Sequence, residues 1–286
     1  MFRSLIFVPG NSMRFVEKAK TLAADIICFD LEDSVPDNEK DAARRIITET
    51  LLARRHEYGD HVYVRTNSPE SGLVPDDLKA VLQKGIDGIV VPKVNDASDM
   101  LEIKKNIVML EKERKTDKIA LMPSIETARG VVNAYLIASA DERIKALVFG
   151  VFDFLYDMRL DYDEHDPVGY SYVRAKIPVD ARAAGVHAID AIWQKIDNID
   201  GLIRDATMAR RLGYSGKSII HPSQIEPVHK VFRPSKNEVE WAKKVVQALD
   251  QAMKKGTGRG AVRLEGKMID AVHYKQAKAI LDAADA

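Results

Sequence analysis

The sequence predicts an α/β fold, a (β/α)8 barrel of the TIM type with a C-terminal helical extension, on three observations. Short apolar runs alternate with helical patterns at a spacing of roughly 25–35 residues, the mark of a parallel βα architecture. Eight such runs are present. Most are continuously apolar, as strands covered on both faces are, and none has the polar look of an edge strand in an open sheet. A chain of 286 residues suits one such barrel.

The expected strands cover 4–9, 25–33, 61–66, 88–94, 119–126, 146–153, 186–192 and 216–222. Helical patterns fill 12–24, 37–54, 75–85, 97–112, 127–140, 169–184 and 201–212. The pattern then changes, so the barrel is assigned to 1–230 and the extension to 231–286. In the extension, 234–256 predicts one long amphipathic helix, 257–270 a Gly-punctuated loop or hairpin, and 271–286 a last helix. This tail is too small to make a strong core by itself. It is expected to pack on the barrel or on a neighbouring subunit.

Composition narrows the function classes. Hydrophobic residues make up 46% and charged residues 30%, enough for a large core and a soluble surface. The 43 Lys and Arg balance 43 Asp and Glu, which argues against bulk nucleic-acid binding. The single cysteine, Cys28, rules out an intrachain disulfide and a cysteine metal site, and fits a reducing, cytoplasmic setting. The apolar start before Pro9 and Gly10 is too short for a signal-peptide core or a membrane span.

In a barrel of this kind the functional groups stand at the C-terminal ends of the strands. Strand two ends in Asp30, Glu32 and Asp33, strand three in Arg65, Thr66 and Asn67, and strand four in Pro92 and Lys93. Strand five ends in Ser124 and Glu126, and strand six in Gly150 and Asp153. Five successive strands therefore aim ionisable groups at one rim. Adjacent strands lie ~4.8 Å apart, so Glu126 and Asp153 would repel unless a positive charge lay between them. An oxygen-only pair favours a hard cation, Mg2+ above others. Equally, Glu126 is placed to act as an N-terminal acid of the following helix. Arg65 follows three apolar residues, a setting that calls for an anion: a substrate carboxylate, or Glu32 or Asp33. Lys93 has the chemistry of a Schiff-base lysine, but nearby carboxylates favour a structural ion pair. Asp270 stands where the N-cap of the last helix is expected, and Arg14 and Lys18 lie on a helix face open to solvent.

The segments "RSLIFVPGNSMRFVEKA", "DIICFDLEDSVP", "VRTN", "GIVVPKV", "PSIETARGVVNA", "FGVFDF" and "GYSGKSIIHPSQI" run in order. Together they resemble the citrate lyase β-subunit-like branch of the HpcH/HpaI aldolase superfamily, from residue 3 to about 270. The resemblance implies a TIM barrel assembled as a homotrimer or hexamer, using Mg2+ and a coenzyme A thioester. It implies reversible cleavage of a 3-hydroxyacyl-CoA, such as citramalyl-, malyl- or citryl-CoA, into acetyl-CoA and an oxo acid. By motif, Glu126 and Asp153 resemble the Mg2+ ligands and Arg65 the charge-stabilising arginine. Glu32 and Asp33 resemble the network orienting Arg65 and the metal's waters. Asp270 resembles an aspartate donated to a neighbouring subunit's active site. Proton transfer there asks for a raised pKa, which burial under an interface would supply. Arg14 and Lys18 resemble basic residues that meet CoA phosphates.

Rival expectations are malyl-CoA hydrolysis at the same site and a subunit of a citrate lyase complex acting on an acyl-carrier-protein thioester. Malate- or citramalate-synthase-type activity, a barrel without catalysis and a pyruvate-type aldolase for free sugars or semialdehydes complete the set. The segment "GTGRG" (256–260) follows a helix and opens no βαβ unit, so it is not a nucleotide loop. The acidic run 161–166, with His165, is expected to be a loop over the barrel mouth. His221 is expected in a supporting turn with Pro222.

Overall fold

The computed structural model describes residues 2–163, 168–254 and 261–285. The segment 256–260 and residues 164–166 of the acidic run, His165 included, lie outside the described residues. The chain divides into two compact units, Phe2–His229 and the part from Lys230 onward.

The first unit is a closed barrel in which eight strands follow one another in sequence order. They are β1 (Ser4–Pro9), β2 (Ile26–Asp30), β3 (His61–Arg65), β4 (Gly88–Val91), β5 (Ala120–Ile125), β6 (Ala146–Phe149), β7 (His187–Asp190) and β8 (Gly216–Ile219). Each neighbouring pair is parallel, and β8 closes on β1. The helices are α1 (Met13–Ala19), α2 (Lys40–Arg54), α3 (Val74–Val81), α4 (Ala97–Arg114), α5 (Ala128–Ala138), α6 (Val151–Met158), α7 (Val168–Ala183), α8 (Ile199–Leu212) and α9 (Ile225–Phe232).

The strands form because their residues are β-branched or large and apolar, and each is buried on both sides. Leu5, Ile26, Cys28, Tyr63, Val90, Met122, Val148 and Ile189 meet in one buried cluster. Each fully buried aliphatic side chain contributes about 1.5–3 kcal/mol. Gly88 is required here, because a Cβ at that position would lie 2.2 Å from the Tyr63 ring. Local signals set the helix ends. Asp96 caps α4 in a reciprocal capping box with Asp99, and Asn198 caps α8 through Gly201 N–H.

The boundaries depart from expectation where an apolar run crosses an element border. The run expected as strand 146–153 stops at Phe149, and Gly150 is the N-cap of α6. The expected strand 25–33 ends at Asp30, and helix 12–24 shortens to α1.

In the second unit, α10 (Lys236–Lys254) and α11 (Ala271–Asp285) pack with a hairpin of β9 (Ala261–Leu264) and β10 (Lys267–Asp270). Glu265 and Gly266 form its turn, both with positive φ (46° and 82°), as a two-residue hairpin turn of matching twist needs. Ala242, Val245, Leu249, Ile269 and Ala277 form the core of this unit. Among the described residues no helix is long and apolar enough to cross a membrane.

Candidate active site

Parallel register brings the first two functional residues together. Asp30 and Arg65 are paired positions at the ends of β2 and β3, so their side chains emerge side by side. Arg65 Nε donates to Asp30 Oδ1 at 2.7 Å and Nη2 donates to Oδ2 at 2.7 Å, a two-pronged clamp. Asp30 also accepts from Glu32 N–H at 2.9 Å and from Ser34 N–H and hydroxyl at 3.1 and 2.5 Å. Burial alone would push the Asp30 carboxyl up, but the Arg65 charge and these bonds outweigh it and hold it at about 2. The Arg65 guanidinium also lies over the Phe7 ring, 4.5 Å from its centroid. The sequence offers Arg65 a substrate carboxylate, Glu32 or Asp33 as its anion. Asp30 is instead its main partner, and Glu32 and Asp33 stand farther off, at 3.1 and 3.7 Å from Nη1.

Glu126 follows β5 directly and is 4% exposed. It does not cap α5, because Thr127 does, accepting from Gly130 N–H at 2.9 Å. The helix-acid alternative for Glu126 is thereby replaced by a buried carboxylate facing inward. Gly150 makes its room, since a Cβ there would lie 2.5 Å from Glu126 Cγ. Asp153 lies in the first turn of α6 rather than at a strand end, because β6 stops four residues earlier. It still reaches the same cavity, of about 450 Å³, which Arg65, Asp33 and Glu126 also line. Phe7, Val148, Phe149, Ile192 and Ile220 form its apolar wall.

Lys93 ties these acids together. Its Nζ lies 2.6 Å from Glu32 Oε1 and 3.3 Å from both Asp33 Oδ1 and Asp153 Oδ1. Its backbone N–H donates to Glu126 Oε2 at 3.2 Å. The residue holds a left-handed backbone with φ of 52°, a conformation costing on the order of 1 kcal/mol or more for a side chain of this size. The structural ion pair expected of Lys93 is present, and no Schiff-base role is needed to explain its setting.

The charges do not balance. Asp30, Glu32, Asp33, Glu126 and Asp153 face two cations, Arg65 and Lys93. Burial pushes Glu126 up to about 8, helped by repulsion from Glu32 and Asp153. Burial and Asp33 likewise push Glu32 up to about 7, against the pull of Arg65 and Lys93. Glu32 Oε2 is buried without an aligned hydrogen bond. Among the described residues no group of three or more His, Cys, Asp and Glu forms a ready metal set. A hard divalent cation needs only one or two protein carboxylates and keeps waters for the rest. The oxygen-only pair of Glu126 and Asp153 and the excess of carboxylates over cations fit such an ion.

Arg14, Lys18 and His221 do not line this cavity. Arg14 and Lys18 are exposed on α1, a helix of seven residues with no side-chain cap bond at Ser12. Asp270 ends β10 in the second unit and does cap α11. Its Oδ1 accepts from Val272 N–H at 3.0 Å and lies 2.7 Å from His273 Nδ1. The His273 side chain holds its carboxyl below the usual range, opposite to the raised pKa expected for it. His221 opens a supporting turn, accepting from Ser223 N–H at 3.2 Å. Sequence reasoning missed the roles of Asp30, Phe7 and Gly150. Pairing the ends of neighbouring parallel strands was the signal for Asp30.

A closed (β/α)8 barrel with a charged cluster at the C-terminal ends of its strands has the build of a barrel enzyme. The chain belongs to the HpcH/HpaI aldolase/citrate lyase family, whose model matches residues 3–222. It is 35% identical over 288 residues to the citrate lyase subunit beta of Escherichia coli, covering 99% of this chain and 93% of that one. It is 32% identical over 286 residues to a (3S)-malyl-CoA thioesterase of Cereibacter sphaeroides, covering 100% and 95%. A solved structure of CitE from Mycobacterium tuberculosis, in complex with magnesium, acetoacetate and coenzyme A, superposes with a TM-score of 0.78. That chain is 28% identical, with coverage of 99% of this chain and 98% of that one.

Proposed function

We propose that this chain is a Mg2+-dependent carbon–carbon lyase that reversibly cleaves a 3-hydroxyacyl-CoA into acetyl-CoA and an oxo acid. Citramalyl-, malyl- and citryl-CoA are the candidate substrates. The observation that carries this reading is the barrel mouth, where five carboxylates meet two cations, Lys93 and the clamped Arg65. The magnesium, acetoacetate and coenzyme A in the mycobacterial relative support the choice of ion and of thioester.

Glu126 and Asp153 would hold the ion, which would supply Lewis acidity to the oxo-acid portion of the substrate. In the cleaving direction the 3-hydroxyl loses its proton and the C2–C3 bond breaks. Its electron pair passes to C2 as a thioester enolate, the carbinol carbon becomes the oxo acid's carbonyl, and C2 then takes up a proton to give acetyl-CoA. Arg65 offers a fixed positive charge where negative charge builds on oxygen, and Asp30 keeps its guanidinium from reorienting during the step. Glu32 and Asp33 brace Arg65 and Lys93. We assign proton transfer at C2 to Asp270, contributed by a neighbouring copy in a homotrimer or hexamer. Held as an anion by His273 and backbone N–H groups, it is better set to take that proton in the condensing direction. Arg14 and Lys18 are assigned to the CoA phosphates.

The test is an assay of citramalyl-, malyl- and citryl-CoA with Mg2+ and with a chelator, separating acetyl-CoA plus oxo acid from free CoA. Release of acetyl-CoA that stops on chelation is expected. Free CoA as the only product would replace the lyase reading with thioester hydrolysis, which the similarity to the malyl-CoA thioesterase supports. Turnover only of an acyl-carrier-protein thioester would favour the citrate lyase β-subunit reading. Asp270→Asn keeps a good helix cap but cannot move a proton, so it is expected to lower turnover without lowering the melting temperature.

A further inference from the structure

We infer that Lys93 is a built-in counter-ion of the barrel mouth, holding its carboxylates in register while no divalent cation is bound and releasing Asp153 when one binds. This rests on the assignment of Glu126 and Asp153 as ligands of that ion, and adds a positioning residue that sets how tightly the ion is held.

The geometry is specific. One ammonium has three hydrogens to donate, and Lys93 Nζ reaches three carboxylates: Glu32 at 2.6 Å, and Asp33 and Asp153 at 3.3 Å. The same residue engages the fourth, Glu126, through its backbone N–H. Lys93 thus spans both assigned ion ligands, one with its main chain and one with its side chain. The left-handed backbone, φ 52°, accompanies both contacts. Glycine would adopt that conformation without strain, so the backbone turn alone does not call for a lysine. The charged side chain is the feature that the strained position retains.

The electrostatics give the function. Without a cation between them, carboxylates this close repel one another, and one buried acid left without its partner is costly. A single ammonium relieves that repulsion in part. It also occupies Asp153 Oδ1, so an arriving divalent ion must take that oxygen from Lys93. Lys93 then keeps Glu32 and Asp33, its shorter contact being the one to Glu32. The mouth is therefore preorganised before the ion arrives, at the expense of ion affinity, and ion exchange stays reversible.

The test uses the full-length protein and Mg2+ as the probe, with titration calorimetry for affinity and thermal unfolding in chelator and in saturating Mg2+. Lys93→Met removes the ammonium and keeps much of the side chain. Lys93→Gly removes it and relaxes the backbone. Both are expected to bind Mg2+ about tenfold more tightly than wild type. Both should unfold at a lower temperature in chelator, and recover most of that loss in Mg2+. Lys93→Arg, which keeps the charge, is expected to bind Mg2+ much as wild type does. Unchanged or weaker Mg2+ binding in the Met and Gly variants would overturn the inference. So would instability, or failure to fold, that saturating Mg2+ does not repair, since that is the mark of a purely structural prop. Wild-type protein that gives no Mg2+ signal would instead overturn the ion assignment itself.

Discussion

Two charge clusters in the barrel, one buried and one partly open at the mouth, are built from similar residue types and do opposite things. Between β7, β8, α7 and α8, Arg174 and Lys217 face Asp190 and Asp205. Lys217 Nζ lies 2.7 Å from Asp190 Oδ2 and 2.5 Å from Asp205 Oδ2. Arg174 donates to both oxygens of Asp190 at 3.0 and 2.7 Å and pairs with Asp205 at 2.8 Å. Two cations meet two anions. Burial would push the Asp205 carboxyl up, but Lys217 and Arg174 outweigh it and draw it down. At the mouth, five carboxylates meet two cations, and burial with mutual repulsion drives Glu126 and Glu32 up. Burial alone does not distinguish a structural network from a functional one. Charge balance does, because a closed network satisfies itself and an unbalanced one must take up protons or a cation.

Breaking the balanced cluster is expected to have the largest effect. Lys217→Met leaves two buried aspartates on one arginine, a loss of about 3–5 kcal/mol, measured by urea unfolding. Turnover by the protein that remains folded is expected to change little, since Lys217 does not line the cavity. A loss of activity without loss of stability would erase the distinction between the two clusters.

Arg65→Lys is expected to do the reverse. It keeps the charge next to Asp30 but loses the planar fork. Turnover should fall about 10²-fold, while the unfolding midpoint moves much less than in Lys217→Met.

A third test sharpens the comparison through pH. The folded-state pKa of Glu126 is raised from its ordinary 4.5 to about 8, so the fold favours the protonated acid. Its stabilising contribution is present in full below about pH 4.5 and is lost as pH rises to about 8. Glu32 acts in the same sense, up to about 7. Chelator-treated protein is therefore expected to melt progressively lower from pH 5 to pH 8, roughly, and added Mg2+ should flatten that slope. Asp30 works the other way, its contribution being lost only as pH falls toward about 2.

The barrel and its mouth were legible in the sequence for one reason. Continuous apolar runs mark strands covered on both faces, and a charge ending such a run stands at the rim. That places Asp30, Glu32, Arg65, Lys93 and Glu126 correctly. Asp153 was put on a strand because "VFGVFDF" stays apolar through Gly150, which hides the change from strand to helix. The same apolar run hides the start of α6, and α9, which directly follows the His221 turn, was not read as a helix. The Arg174–Asp190–Asp205–Lys217 cluster was illegible. Its members are scattered in the chain, and Lys217 sits inside a strand rather than at its end. Asp270 has the sequence of a helix cap and is one, so its catalytic assignment rests on the family resemblance.

The most direct measurement is the anomalous scattering of crystals grown with Mn2+ in place of Mg2+, for wild type and for Glu126→Gln. One manganese peak bridging the Glu126 and Asp153 carboxylates, weakened or lost in the variant, is the expected result. A peak elsewhere, or none between those two acids at saturating Mn2+, would contradict the claim that the mouth's unbalanced charge is completed by a divalent ion.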